Sequence, residues 1–123
     1  MTTTTVQKMS ISLLQENLAR GLAIVGRAIH TRGTMPIMQQ VLLEATEDGW
    51  LRLAASNLEY SVLHQVGAKV SESGACLLPW RDFHELVNTL PKDRIDFALD
   101  AQGRNAIITC GRTKARLPVL AAT

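Results

Sequence analysis

Arginine side chains spaced along one amphipathic segment are the residues of this sequence best suited to chemistry, and that chemistry is phosphate binding. Arg20 and Arg27 are seven residues apart, which puts them on one side of a helix because successive helical residues turn by roughly 100°. Arg32 follows in the loop Thr31-Arg-Gly-Thr34. Arginine contacts to phosphate position a nucleic acid without reading its bases. The pattern favours a loosely held phosphate backbone, while a solvated helix face without a partner would use the same residues.

A second helical segment contributes a fourth cation. It runs from Trp80 to Leu90, is bounded by Pro79 and Pro91, and carries Arg81 close to its start. Its opposite side is apolar. If both helices lie on one side of their sheets, the layer that they form is polar and mildly cationic.

No group of residues has the spacing of a catalytic or metal site. His84-Glu85 begins like the zinc-binding pattern HExxH, but position 88 is Asn, so the second histidine ligand is missing. Nucleophile motifs and phosphate-cradling glycine loops are absent from the sequence. We therefore expect no catalytic residue, no metal and no cofactor. An enzyme that uses His84 and Glu85 remains an alternative, and it predicts a cleft around them.

The same order of elements occurs twice along the chain. Each unit reads as a strand, an amphipathic helix and three strands linked by hairpins, which predicts an α+β fold with two helices on one side and antiparallel sheets on the other. The first unit is expected to have a strand around Val6, Met9 and Ile11, a helix over about residues 13–29, and strands at 41–46, 50–55 and 60–66. The second is expected to have a strand at 75–78, the helix at 80–90, and strands at 95–100, 105–110 and 114–120.

The two predicted helices each have an apolar stripe that should pack against the sheets. Gly21 and Gly26 interrupt the first helix, and each costs on the order of 1 kcal/mol relative to alanine, a cost that sheet packing must offset or that marks a close backbone contact. The stripe residues are Leu14, Leu18, Leu22, Val25 and Ile29 on the first helix, and Phe83, Leu86, Val87 and Leu90 on the second.

Length and composition suit one soluble domain. The chain has 123 residues, 46% of them hydrophobic, and a formal net charge of +2, and it contains no apolar run of the roughly 18 residues that a membrane span needs. We expect residues 1–5 to form a flexible tail and residues 6–123 a single domain. Cys76 and Cys110 lie far apart without CxxC spacing, which indicates buried, reduced thiols and a cytoplasmic setting.

Several short motifs together resemble a known family. They are Arg32-Gly-Thr-Met-Pro-Ile37, Ala55-Ser-Asn-Leu-Glu59, Leu78-Pro79 ahead of Phe83, Leu90-Pro91, and Gly111-Arg-Thr-Lys114. In order and spacing they resemble the first domain of the bacterial sliding clamp, the beta subunit of DNA polymerase III, from about Val6 to Leu120.

This resemblance implies a role in DNA replication. Clamps of this family are non-catalytic processivity factors: rings of three-domain chains that encircle duplex DNA, with helices lining the hole, and tether the polymerase. A single DNA-clamp domain, the first of three, is thus expected here. The expected partners are double-stranded DNA without sequence preference and other clamp domains, with no membrane partner. Polymerase III and the clamp loader bind later domains, and so only the full-length protein.

The resemblance also implies roles for individual residues. Arg32 matches a family arginine that contacts DNA, and Arg20 matches a basic position facing the pore, whereas Arg27 and Arg81 are chosen from the sequence itself. The family's subunit interface falls on Arg112, Lys114, Ala115 and Leu117, with Leu86 and Leu90 below them. Leu86 and Leu90 could instead be plain core residues. A small cytosolic interaction module that binds proteins through an exposed strand edge remains the alternative function.

Overall fold

The computed structural model describes residues 9–28, 40–56, 61–100 and 103–119. The proposed tail at residues 1–5 lies outside these ranges, so its flexibility remains a prediction. The elements are β1 (Ser10–Leu14), α1 (Gln15–Val25) extended by a 3-10 turn (Gly26–Ala28), β2 (Gln40–Ala45), β3 (Trp50–Ser56), β4 (Ser61–Gly67), β5 (Lys69–Glu72), β6 (Gly74–Pro79), α2 (Trp80–Thr89), β7 (Arg94–Leu99), β8 (Asn105–Cys110) and β9 (Thr113–Pro118).

The strands form two antiparallel sheets in which the two units exchange their first strands. One sheet has the order β5-β1-β7-β8-β9 and the other the order β4-β3-β2-β6. The first strand of each unit thus pairs with the sheet of the other unit, β1 beside β7 and β6 beside β2. The predicted α+β fold with two helices and two antiparallel sheets is confirmed.

The duplication extends to the register of individual residues. Ile11 pairs with Phe97 where β1 meets β7, and Cys76 pairs with Leu43 where β6 meets β2. Ile11 and Cys76 are 65 positions apart, and Leu43 and Phe97 are 54 positions apart. With these two shifts, each residue pair between β1 and β7 corresponds to a residue pair between β6 and β2. The two halves are therefore related by an internal twofold similarity that weak residue identity conceals.

One hydrophobic core lies between the helices and the inner faces of both sheets. Helix α1 packs on β3, β4 and α2, and alternate strand residues point inward with the period of two that a half-buried sheet requires. The largest fully buried side chains of this core are Met9, Leu18, Leu22, Val25, Leu43, Leu51, Leu53, Leu78, Phe83, Ile95, Phe97 and Ile108. The predicted inward positions Leu18, Leu22 and Val25 are confirmed, and Ile29 lies outside the described residues.

The prediction that Leu14 belongs to the helix stripe was wrong. Leu14 ends β1 opposite Arg94 and is 55% exposed. The helix begins one residue later because the Gln15 amide donates to the Asp93 carbonyl, at 2.9 Å from nitrogen to oxygen. Strand pairing therefore holds Leu14 in an extended conformation and overrides its helical preference.

Strand β5 was missed by the sequence analysis. Its one apolar residue, Val70, stands among charged and polar neighbours, so the segment carries almost no alternation. It forms because the chain leaves one sheet at Gly67 and enters the other at Lys69, where Val70 pairs with Ile11 of β1.

The close contacts expected at the two helical glycines are confirmed. A Cβ atom on Gly21 would lie 2.6 Å from Leu53 Cδ1, and one on Gly26 would overlap the Trp80 ring. The absence of side chains at these positions lets α1 approach the sheet and α2 closely.

Candidate nucleic-acid interface

The two helices pack against each other in antiparallel directions. The Gln15 side-chain amide donates to the Val87 carbonyl at 2.8 Å, and the Trp80 indole N–H donates to the Leu22 carbonyl at 2.9 Å. The first residue of each helix therefore contacts the eighth residue of the other. Their apolar sides enter the core, so their polar sides form one layer that faces away from it.

The structure brings three of the four candidate arginines into this layer. Arg20, Arg27 and Arg81 are all exposed. Arg27 adjoins Gly26 and Arg81 adjoins Trp80, and the contact between Gly26 and the Trp80 ring places both arginines at the same end of the helix pair. Arg32, the fourth candidate, lies outside the described residues.

The charge of the helix layer is mixed within the described residues. Exposed carboxylates at Glu16, Asp82 and Glu85 equal the three arginines in number. The predicted cationic character of the layer also counted Arg32, which lies outside the described residues, so it stays a prediction. Arg20 on α1 and Arg27 in the 3-10 turn that extends it stand apart from Glu16, which lies beside Gln15 at the opposite end of the pair. Phosphate contacts are therefore expected mainly along the second half of α1, and they should be weak and sensitive to salt.

His84 is held by structural contacts. Its ring stacks on Trp80 with centroids 4.7 Å apart and planes inclined by 13°, and its Nε2 lies 3.2 Å from the Asn88 side-chain nitrogen. In the parts of the chain that the structure describes, no group of three His, Cys, Asp or Glu side chains could hold a metal ion. The alternative of an enzyme using His84 and Glu85 gains no support from these contacts.

Two surface grooves in the described part of the chain lie on the sheet side of the molecule. One, of about 280 Å³, lies over β1, β5 and β7 and is lined by residues that include Leu14, Lys69, Arg94 and Asp96; the other, of about 510 Å³, lies along β5. Neither is lined by His84 or Glu85.

The candidate interface residues on β9 form an open sheet edge. Among the strands that the structure describes, β9 pairs with β8 alone, so its other side is an edge of the described sheet. Ala115 and Leu117 are half-buried, while Lys114 and the preceding turn residue Arg112 are exposed. Arg116 lies on the same strand face as Lys114 and was missed by the sequence analysis, although its spacing of two residues from Lys114 was the available signal.

The two leucines assigned to the same interface differ in burial. Leu90 is 5% exposed and belongs to the core, whereas Leu86 is half-buried and packs against the core. Leu86 therefore retains exposed surface that a partner could contact, whereas Leu90 retains almost none.

The cysteines are free and buried, as predicted. Burial raises the pKa of the Cys76 thiol to about 12. The pKa of Cys110 is also raised, first by burial and then by the nearby Asp93 and Asp96 carboxylates. Within the described residues, neither helix is long and apolar enough to cross a lipid bilayer.

Sequence reasoning also missed the roles of Gln15 and Trp80 in joining the helices. The one available signal was Gly26, whose cost within a helix predicted a close neighbour without identifying it. The identity of that neighbour depends on a contact between residues more than fifty positions apart.

Comparison with known proteins gives a consistent family. Residues 9–123 match the model of the DNA polymerase III beta subunit, N-terminal domain. The chain is 36% identical over 96 residues to the beta sliding clamp of Synechocystis sp., covering 77% of this chain and 25% of the relative. It is 29% identical over 115 residues to the beta sliding clamp of Escherichia coli K12, covering 93% of this chain and 31% of the relative.

Solved structures agree with the sequence relatives. The chain superimposes on the beta sliding clamp of Caulobacter crescentus with a TM-score of 0.86 and 25% identity, over 96% of this chain and 31% of that one. It superimposes on the DNA polymerase III beta subunit of Pseudomonas aeruginosa with a TM-score of 0.82 and 26% identity, over 93% and 31% of the two chains. The chain thus spans a quarter to a third of the length of these relatives.

Proposed function

Because this chain belongs to the family of the DNA polymerase III beta subunit, matching its N-terminal domain, we propose that it acts as the first domain of a sliding clamp in DNA replication. In this role it forms part of a ring around duplex DNA and is a non-catalytic processivity factor for DNA polymerase III. Binding of the polymerase and the clamp loader belongs to the full-length protein. The setting is the cytoplasm, which the buried free thiols support.

The observation that carries this proposal is the separation of the helix layer from the sheets. Arg20, Arg27 and Arg81 are exposed on the helices. The helices lie on one side of the core and the two sheets on the other. Duplex DNA would face the helix layer, and the arginines would contact its phosphates without reading sequence. Because one domain offers only a few such contacts, its own affinity for DNA is weak, and a ring retains DNA by enclosing it.

Ring assembly would use the open edges of the sheets. Unpaired backbone groups along an edge strand form a template for a neighbouring strand. Strand β9, with Arg112, Lys114, Ala115 and Leu117, is the edge proposed for the next subunit, and Leu86 supports it from below. Within the described residues the exposed cations Arg112 and Lys114 form no ion pair, so a partner strand with acidic residues would complement them.

Titration of the isotope-labelled chain with duplex DNA at low salt tests this proposal. We expect each of three single substitutions to weaken DNA binding: Arg20→Gln, Arg27→Gln and Arg81→Gln. For any one variant, the loss of affinity should be the same for duplexes of unrelated sequence. Each should also reduce the slope of log K against log salt by about 0.9 if one phosphate contact is lost.

Matched controls are Arg52→Gln and Arg94→Gln. These arginines pair with Glu44 and Asp96 on the outer faces of the sheets. They should leave DNA binding unchanged. Equal losses in the control and helix variants, or no loss in any helix variant, would contradict the assigned interface.

A protein-interaction module acting through a strand edge remains a second candidate, because β9 is open on one side. It predicts a protein partner whose binding persists when Arg20, Arg27 and Arg81 are neutralised. Loss of that binding on blocking β9, without any DNA response at the helices, would favour this candidate over the clamp.

A further inference from the structure

We infer that Trp80 and Gln15 are positioning residues that hold α1 and α2 at one fixed spacing, so that the arginines on the two helices form a single surface. As far as it concerns DNA, this inference rests on the proposed function. The fixed spacing itself rests only on contacts within the chain.

The two residues occupy equivalent places in the duplicated fold. The shift of 65 positions that relates β1 to β6 also relates Gln15 to Trp80 and Leu22 to Val87. Each helix thus begins with a side chain that donates to the equivalent carbonyl of the other helix. Two chemically different donors, an amide and an indole, make the same reciprocal contact. We call this pair of hydrogen bonds the helix clasp.

The clasp uses acceptor capacity that the helices leave unused. The Leu22 carbonyl already accepts the Gly26 amide, and it accepts the Trp80 indole in addition. A carbonyl oxygen has two lone pairs, so the contact between helices does not compete with the helical hydrogen bond. Gln15 is only 6% exposed, and its amide would lack a partner if α2 moved away. Leaving a buried donor unpaired is costly, so the clasp resists separation of the helices.

Trp80 also sets a steric limit to the spacing. Three atoms on one edge of its ring fill the place that a side chain on Gly26 would occupy. One face of the ring is covered by His84, whose ring is in turn next to Asn88. The indole is therefore held by Gly26 at its edge, by His84 on one face and by the Leu22 carbonyl at its N–H. This arrangement gives His84 a structural role beside Trp80.

The spacing acts directly on the arginines. Arg27 follows Gly26 and Arg81 follows Trp80 in the chain, so a movement of the α2 backbone away from Gly26 increases the separation of the backbone positions of these two cations. Residues held in one arrangement lose less entropy when they bind a ligand together.

Dipolar coupling between nitroxide labels tests the fixed spacing. Ala23→Cys and Glu85→Cys place one label on the exposed side of each helix, and the native thiols are buried and should remain unlabelled. Gly26→Ala should increase the mean separation by about 1–2 Å, because a methyl group must fit between tightly packed backbone and ring. Trp80→Phe and Gln15→Met should widen the distribution, because each removes one donor of the clasp.

Trp50→Phe is the matched control. Trp50 is 42% exposed on β3, so its replacement should not change the coupling. Combining Gly26→Ala with Trp80→Leu should remove the increase caused by Gly26→Ala alone. If Trp80→Phe fails to fold, Gln15→Met provides the same comparison. An unchanged distribution in Gly26→Ala and Gln15→Met, or an equal change in Trp50→Phe, would overturn the inference.

A DNA titration separates this inference from the proposed function. In the unmodified chain, amide signals of α1 and α2 should follow one binding curve. In Trp80→Phe they should follow two, which a general loss of stability would not produce. Two curves already in the unmodified chain would overturn the single surface. If neither helix responds to DNA while Gly26→Ala still changes the separation, the proposed function fails and the fixed spacing stands.

Discussion

Cys76 is the residue at which burial makes the clearest prediction about stability. Its pKa of about 12 in the folded chain compares with 9.0 for an unperturbed thiol, so the folded state holds the proton more tightly than the unfolded state. The contribution of this thiol to the free energy of unfolding is fully present below pH 9. It is lost as the pH rises towards 12, by up to about 1.4 kcal/mol per pH unit for one thiol.

Urea unfolding between pH 7 and pH 11 measures this effect. Cys76→Ala should flatten the decline without abolishing it, because burial also raises the pKa of Cys110. An identical decline in the variant and the unmodified chain would show that the Cys76 thiol does not ionise on unfolding in this range.

At this scale the sequence predicted the exposure of the helix arginines but not that of Leu14, and it identified few contact partners. Arg20 and Arg27 share one side of the helix because seven residues are close to two helical turns, and that side is exposed because it lies opposite the apolar stripe. The hydrogen bond of Trp80 to Leu22 cannot be predicted in that way, because it requires the relative position of two helices that are distant in sequence. Burial of Leu90 was predicted from the apolar stripe of the second helix and is confirmed. The sequence left open whether Leu90 supports an interface or is a plain core residue.

Among the elements, α1 depends on a glycine that lets it approach β3 and β4. Gly21→Ala should destabilise the chain by a net ~1–2 kcal/mol, because overpacking costs about 1–3 kcal/mol and better helix propensity returns up to about 1 kcal/mol. The new Cβ would meet Leu53 Cδ1 at 2.6 Å and Val66 Cγ2 at 3.1 Å. Thermal or urea unfolding gives the change in free energy.

Gly67→Ala is the control for this substitution. Apart from Gly67 and its two chain neighbours, no heavy atom of the described residues lies within 4 Å of a Cβ built on Gly67, so the variant should be neutral or slightly stabilising. A Gly21→Ala variant with the same free energy of unfolding as the unmodified chain would show that α1 does not pack tightly against the sheet.

The elements themselves were largely predictable, and their boundaries were not. Alternation and helical periodicity identified both helices and eight of the nine described strands. The start of α1 was misplaced because Leu14 suits the apolar stripe of a helix as well as it suits the end of a strand. Its pairing with Arg94 assigns it to β1. Strand β5 was not predicted because four residues with one apolar side chain give no periodic signal.

For the whole molecule, open sheet edges carry the risk of self-association. On β9, Lys114 and Arg116 are exposed along such an edge, where like charges discourage pairing between two copies. Replacing both with serine should increase self-association at low salt, measured by sedimentation velocity. Arg52→Ser is the control, since β3 has neighbours on both sides. Equal association in the control would mean that the charges on β9 do not protect the edge.

The duplicated architecture was predictable from the order of elements, whereas the exchange of first strands between the two halves was not. Antiparallel pairing of β1 with β7 and of β6 with β2 satisfies the same hydrophobic pattern that pairing within each half would satisfy. Only the three-dimensional arrangement distinguishes them. This exchange joins the halves into one core and fixes both helices on the same side.

The central claim is that the helix layer faces duplex DNA and the sheets face away from it. Paramagnetic relaxation from a nitroxide attached to a DNA duplex measures this orientation directly. Amide signals of α1 and α2 around Arg20, Arg27 and Arg81 should broaden at low salt and recover as salt is added, while those of β3 and β8 stay sharp. Broadening centred on the outer faces of the sheets, with sharp helix signals, would contradict the account.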